Sequence, residues 1–132
     1  IAIEGYSIRW LAVQAPEHMW KKSLARLAAV QEKSRAYIEG DTEHYEFMKL
    51  DTAFHTLLVA ATGNSYLIRI HEQMRTKLEQ AIFTSLHHRR RHAEAWEEHA
   101  AILAGIERRD EAEAMRAFMV HMGATARVFG VP

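Results

Sequence analysis

Proline occurs only at positions 16 and 132 and glycine only six times, so little in this chain interrupts a helix. Apolar residues recur every three to four positions, and no stretch sustains the period-two alternation of a half-buried strand. An all-α fold follows. A first helix is expected over about 3–14. Pro16 suits the first turn of a second helix, which runs to about 39 and stops at Gly40. Asp41 or Thr42 would cap a third, continuing to about Thr62 and ending at Gly63, and Asn64 would cap a fourth over about 65–86. A fifth is expected over about 92–108. Asp110 and Glu113 have capping-box spacing for a last helix over about 111–129. Short connections make neighbouring helices antiparallel, giving a bundle of about six.

The expected buried stripe of the third helix is Phe47, Leu50, Phe54, Leu57, Leu58 and Ala61. That of the fifth is Trp96, Ala100, Leu103 and Ile106, and that of the sixth is Met115, Phe118, Met119, Met122 and Phe129. Four polar residues interrupt these faces: Asp51 and His55 on the third helix, His99 on the fifth, and His121 at the edge of the sixth. Burying a carboxylate and three imidazoles is costly unless something gathers them. Asp51 and His55 are four residues apart, hence on one helical face. His99 lies ten residues before Arg109 and His121 twelve after it, so an antiparallel pair sets them at nearly equal height. One divalent ion would take such a donor set. Hydrogen-bonded core histidines with a buried Asp–His ion pair would account for the same pattern.

Charge and composition exclude several roles. With 132 residues the chain makes one domain. Seventeen basic and seventeen acidic side chains balance, so this segment lacks the basic surface that holds nucleic acid. Without cysteine there is neither a disulfide nor a thiolate site, which fits a reducing, cytoplasmic setting. No apolar run approaches the ~18 residues of a membrane span. His88 and His92 are also four apart, but arginines separate them, and the stretch reads as a solvated basic junction. His18, His44, His71 and His87 read as surface residues. The string from His71 to Arg75 lacks the second histidine of HExxH, and no Glu-x-x-His occurs, which disfavours a di-iron bundle.

The string Asp51-x-x-Phe54-His55-x-x-Leu58, then Ala61-Thr62-Gly63-Asn64, resembles the signature of the C-terminal effector domain of FadR-type GntR transcription regulators. So do Glu98-His99-x-x-Ile102-x-x-Gly105-Ile106, Arg109-Asp110-x-x-x-Ala114 and the closing His121. The ligand spacing resembles the metal-binding branch of that family. The resemblance implies an antiparallel helical bundle, a homodimer, and a winged helix-turn-helix DNA-binding domain upstream of this segment. It implies Asp51, His55, His99 and His121 as ligands of one metal ion, zinc or nickel by the preference of three imidazoles, and a small carboxylate effector. An effector arginine of relatives precedes the position of Glu4, which places it before Ile1; Arg9 does not match that place.

The resulting expectation is a sensing and dimerisation domain over residues 1–132 and no enzyme. Arg75 either faces the cavity as a second effector contact or is a solvated surface arginine. Two other classes compete. A metal-dependent hydrolase would need a base such as Glu98, which points about 100° away from His99 on its helix. A metal-free helical dimerisation module would leave the histidines as ordinary core residues.

Overall fold

A computed structural model describes residues 2–38, 44–89 and 91–128. The expected stop at Gly40, the caps at Asp41 or Thr42, Phe129, and the side chains of His87, His88, Arg89 and Arg90 lie outside what it describes. The described residues form six α-helices and no strand: α1 (Ala2–Arg9), α2 (Glu17–Ser34), α3 (His44–Ala60), α4 (Ser65–Arg89), α5 (His92–Glu107) and α6 (Glu111–Val128). None is long and apolar enough to cross a membrane.

Two segments depart from plain α-helix. After α1 the chain widens into a π-helical turn, Trp10–Gln14, closed by Ala15 N–H donating to the Trp10 carbonyl at 2.9 Å. The wider turn rotates the inward face, so that Ile8, Leu11, Ala12 and Ala15 are all buried. After α2 a 3₁₀ turn, Arg35–Tyr37, replaces the helical continuation expected to residue 39.

Local chemistry sets the other ends. Gly63 takes φ +66° where α3 stops, a conformation that a side chain would oppose. Asn64 Oδ1 accepts from the N–H groups of Tyr66 (3.0 Å) and Leu67 (3.2 Å), capping α4. Asp110 Oδ1 accepts from Glu113 N–H at 3.0 Å. The capping box is only half made, because the Asp110 N–H already donates to the Gly105 carbonyl and Glu113 pairs with Arg108 instead.

The α5–α6 turn is pinned to the α1–α2 turn. Arg109 adopts φ +57°; its guanidinium donates to the Ala15 carbonyl at 2.9 Å and covers the Trp20 ring at 4.6 Å. At the same end α5 and α6 approach closely: a Cβ on Gly105 would stand 2.6 Å from the N and Cα of Ala114. Gln31 and Trp96 exchange side-chain to carbonyl hydrogen bonds of 2.7 and 2.8 Å, which fixes α2 against α5.

The main core is built from Ile8, Leu11, Ala15, Leu27, Phe54, Leu58, Ile102, Ile106, Ala114 and Phe118. A smaller cluster of Phe47, Met48 and Ala95 packs with Tyr37 and Ile38. On α5 the buried line is His92, Ala95, His99, Ile102 and Ile106, one position out of phase with the expected stripe except at Ile106. On α6 Met119 is half exposed, and the buried line runs Ala114, Phe118, His121. Along α3 and α5, Asp51 and His99 therefore fall between the two apolar clusters, and His55 follows Asp51 one turn later, in a polar layer.

Candidate metal centre

Three helices supply the four residues of this layer. Asp51 and His55 come from α3, His99 from α5 and His121 from α6, and all four are buried. The ring centroids of His55, His99 and His121 are 4.7–5.2 Å apart. Phe54 stacks on His99 at 4.3 Å with planes 5° apart, fixing that ring from the core side. The ligand-capable atoms of the three histidines lie within 4.8 Å of one another.

Carboxylates outside the cluster orient two of the rings. His55 Nδ1 is hydrogen-bonded to Glu4 Oε1, and His121 Nδ1 to Glu98 Oε1 at 2.7 Å. Each Nδ1 therefore carries the proton that a carboxylate accepts, and each Nε2 presents a lone pair. Those two Nε2 atoms stand 3.3 Å apart. With both Nδ1 protons committed outward, no hydrogen lies between them. Asp51 Oδ1 is 3.7 Å from His55 Nε2 and 3.3 Å from His99 Nε2. The His99 contact is not aligned as a hydrogen bond, and this buried nitrogen has no partner.

Asp51 Oδ1 thus adjoins the Nε2 atoms of two rings of this three-histidine cluster. Ligands held ~2.0–2.1 Å from a tetrahedral zinc ion are separated by roughly 3.3–3.4 Å. Two of the three spacings, at 3.3 Å, match that edge, and the third, at 3.7 Å, is longer. Three buried histidines able to hold an ion, one with an orphaned nitrogen, are the arrangement a divalent metal fits.

Protonation states favour the same chemistry. Burial lowers His99 and His121 below the ordinary imidazole value, against the opposing pull of Asp51 and Glu98, so both rings are neutral near pH 7. Burial alone would raise the Asp51 carboxyl, but His99, His55 and Arg75 hold it well below the usual range. Glu4 is likewise held low, by His55 and His71 against its burial. Glu98 is held low by His121 and Arg91.

Several partners depart from the sequence expectations. His71, expected at the surface, is buried on α4 with Nε2 3.3 Å from Glu4 Oε2 and no hydrogen-bond partner for either ring nitrogen. Its position was readable: His71 and Arg75 extend the half-buried face of Leu67 and Ile68. Glu4 continues the Ile8–Leu11 face of α1. Glu98 does leave its helix on a different face from His99, but α6 packs on that side and the carboxylate reaches His121. Arg91 and His92 are buried, not a solvated junction. Arg91 donates to Glu98 Oε1 and Glu94 Oε2, each at 2.8 Å, and His92 stacks on Phe47 and bonds the Tyr37 carbonyl. Arg75 is largely buried and donates to Asp51 Oδ2 at 3.1 Å and to Thr52 Oγ1 at 3.2 Å. Arg9 is exposed and pairs with Glu111, away from this layer.

The family model described as the FCD domain matches residues 1–124. This chain is an FCD domain. FCD domains are the C-terminal, effector-binding regulatory domains of GntR/FadR-type regulators, and the six-helix all-α architecture agrees. Comparison with curated proteins gives no match.

Proposed function

We propose that this FCD domain holds one divalent ion, zinc or nickel, on Asp51, His55, His99 and His121, and senses a small carboxylate through it. What supports the proposal is the cluster of three buried histidines whose ligand-capable atoms lie within 4.8 Å of one another, with Asp51 Oδ1 3.3 and 3.7 Å from two of them and the outer nitrogens of two rings tied to carboxylates. When bound, the ion supplies a Lewis-acidic anchor for an oxygen ligand, and no reaction is required of it.

The residues around it set the charge. Arg75 and Arg91 offset Glu4 and Glu98, and Asp51 cancels one charge of a dication. The layer then carries a net charge of about +1, in surroundings of low dielectric, which favours an anion. Arg75, two-point bonded to Asp51 and Thr52, is placed to add a second contact to a carboxylate. Glu98 is hydrogen-bonded to His121 and Arg91, which supports an orienting role over that of a hydrolase base.

In the regulator, effector binding would bias the relative positions of helices in a homodimer, and so of DNA-binding domains outside this segment. That requires the effector to favour one arrangement over another. Metal analysis and acetate calorimetry on the wild type and His99→Ala test the anchor. Wild type should hold one equivalent of metal and bind acetate only when loaded. Equal metal content and equal acetate affinity in the variant would defeat it.

A further inference from the structure

α4 supplies no ligand to the proposed centre, yet it backs both residues that α3 contributes. His71 and Arg75 are four residues apart on α4, as Asp51 and His55 are on α3. Arg75 donates to Asp51 Oδ2 at 3.1 Å. His71 Nε2 stands 3.3 Å from Glu4 Oε2, and the other oxygen of that carboxylate, Oε1, accepts from His55 Nδ1. Glu4 is thus one carboxylate between two imidazoles, one on α3 and one on α4.

His71 is 2% exposed, and neither of its ring nitrogens is hydrogen-bonded among the described residues. Such a ring costs more to bury than an apolar side chain of similar size, so packing alone does not account for it. A neutral imidazole carries one ring proton, and the facing carboxylate selects Nε2 as its place. A small rotation of the ring aligns that N–H on Glu4 Oε2. A donor there fixes the second oxygen of the carboxylate, and so the direction from which the first meets His55. The same carboxylate fastens α1. Among the described residues, the polar contacts of α1 with other helices are those of Glu4 and the exposed pair of Arg9 with Glu111.

Resting on the metal centre proposed above, we infer that His71 is a positioning residue of that centre. It holds Glu4 from α4, and Glu4 orients His55. Through these contacts metal occupancy seats α1 against α3 and α4.

Zinc affinity, measured by chelator competition across a double-mutant cycle, tests this. His71→Phe should weaken zinc binding roughly fivefold, less than the ~10–100-fold typical of losing a ligand's direct partner. In a Glu4→Met background, where the carboxylate is gone, the same change should leave zinc affinity unaltered. His71→Gln, whose amide N–H takes the place of the Nε2–H, should stay within about twofold of wild type. His71→Leu replaces His71→Phe if the larger ring disturbs packing, and circular dichroism checks that each variant is folded. At zinc saturation, amide exchange over residues 6–9 of α1 should slow roughly tenfold in the wild type and less than about threefold in Glu4→Met. Equal losses in the two backgrounds would overturn the role. So would His71→Gln as weak as His71→Phe, or α1 exchange that zinc leaves unchanged. Metal analysis separates the two levels. A wild type that takes up no zinc sinks the centre itself; one equivalent bound, with His71→Phe at wild-type affinity, sinks only the part given to His71.

Discussion

Replacing Glu98 by glutamine tests whether the outer carboxylates tune the centre. Glu98 Oε1 accepts from His121 Nδ1 at 2.7 Å, and its other contacts go to Arg91. The substitution keeps the shape and an oxygen acceptor but removes one negative charge. Adding the width of the ring and a ~2.1 Å metal–nitrogen bond places that charge roughly 7 Å from an ion on His121 Nε2. For a doubly charged ion at an effective dielectric of about 20, that distance gives an upper bound of about 5 kcal/mol, because Arg91, bonded to the same carboxylate, offsets part of its charge. Losing a carboxylate behind a metal-bound imidazole typically costs about 10–100-fold in metal affinity, and that sets the expected loss. A competition titration with a chromophoric zinc chelator at pH 7.5 reads it. Glu98→Gln should weaken zinc binding by one to two orders of magnitude while still binding one equivalent. A metal affinity within twofold of wild type, in a folded variant, would refute the idea that the Glu98–His121 contact serves the ion.

Three further outcomes are expected. Gly105→Ala should lower stability by about 3 kcal/mol, the upper end for overpacking, because the added Cβ would meet backbone atoms of Ala114 at 2.6 Å; chemical denaturation checks this. Asn64→Ala should cost about 1 kcal/mol, because the Tyr66 and Leu67 N–H groups lose their cap, and should leave metal content unchanged; urea unfolding and metal analysis check both. For the metal-free protein, His99 and His121 lie below their ordinary 6.5 when folded, so the unfolded chain takes up protons first as pH falls. Their contribution to stability is present above about pH 6.5 and lost below it. A second loss follows below the ordinary values of 4.5 and 3.8 as Glu4 and Asp51, held low in the fold, meet their protons. Urea midpoints at pH 8 and 5.5 should differ in that direction, with the acidic one lower.

The helices were legible because their punctuation is chemical. Gly63, Asn64 and Asp110 act where they stand in sequence, through bonds to residues two or three positions away. The meeting of His99 with His121 was legible too, since a short turn fixes the height of an antiparallel pair. Angular phase was read less well. On α5 the stripe was set from Trp96 and Leu103, large side chains that border the buried line of Ala95, His99 and Ile102. The π turn at Trp10–Gln14 has no marker in composition. The partners of the polar layer were missed for a different reason. Glu4 meets His55 and His71 across α1–α3 and α1–α4, and Glu98 meets His121 across α5–α6, at separations set by packing, while Arg91 reaches Glu98 from the start of the same helix. A long charged side chain beside a helix interface looks in sequence like one facing water. Only the continuation of an apolar face through Glu4 and His71 distinguished those two.

Asp51, His55, His99 and His121 are proposed to share one cation. Anomalous diffraction above and below the absorption edge, on crystals of protein loaded with zinc or nickel, tests it most directly. One strong peak should appear with the Asp51 carboxylate and three imidazole nitrogens about 2.0–2.2 Å away. A peak held by other residues, or none beside these four after loading with either metal, would contradict the account.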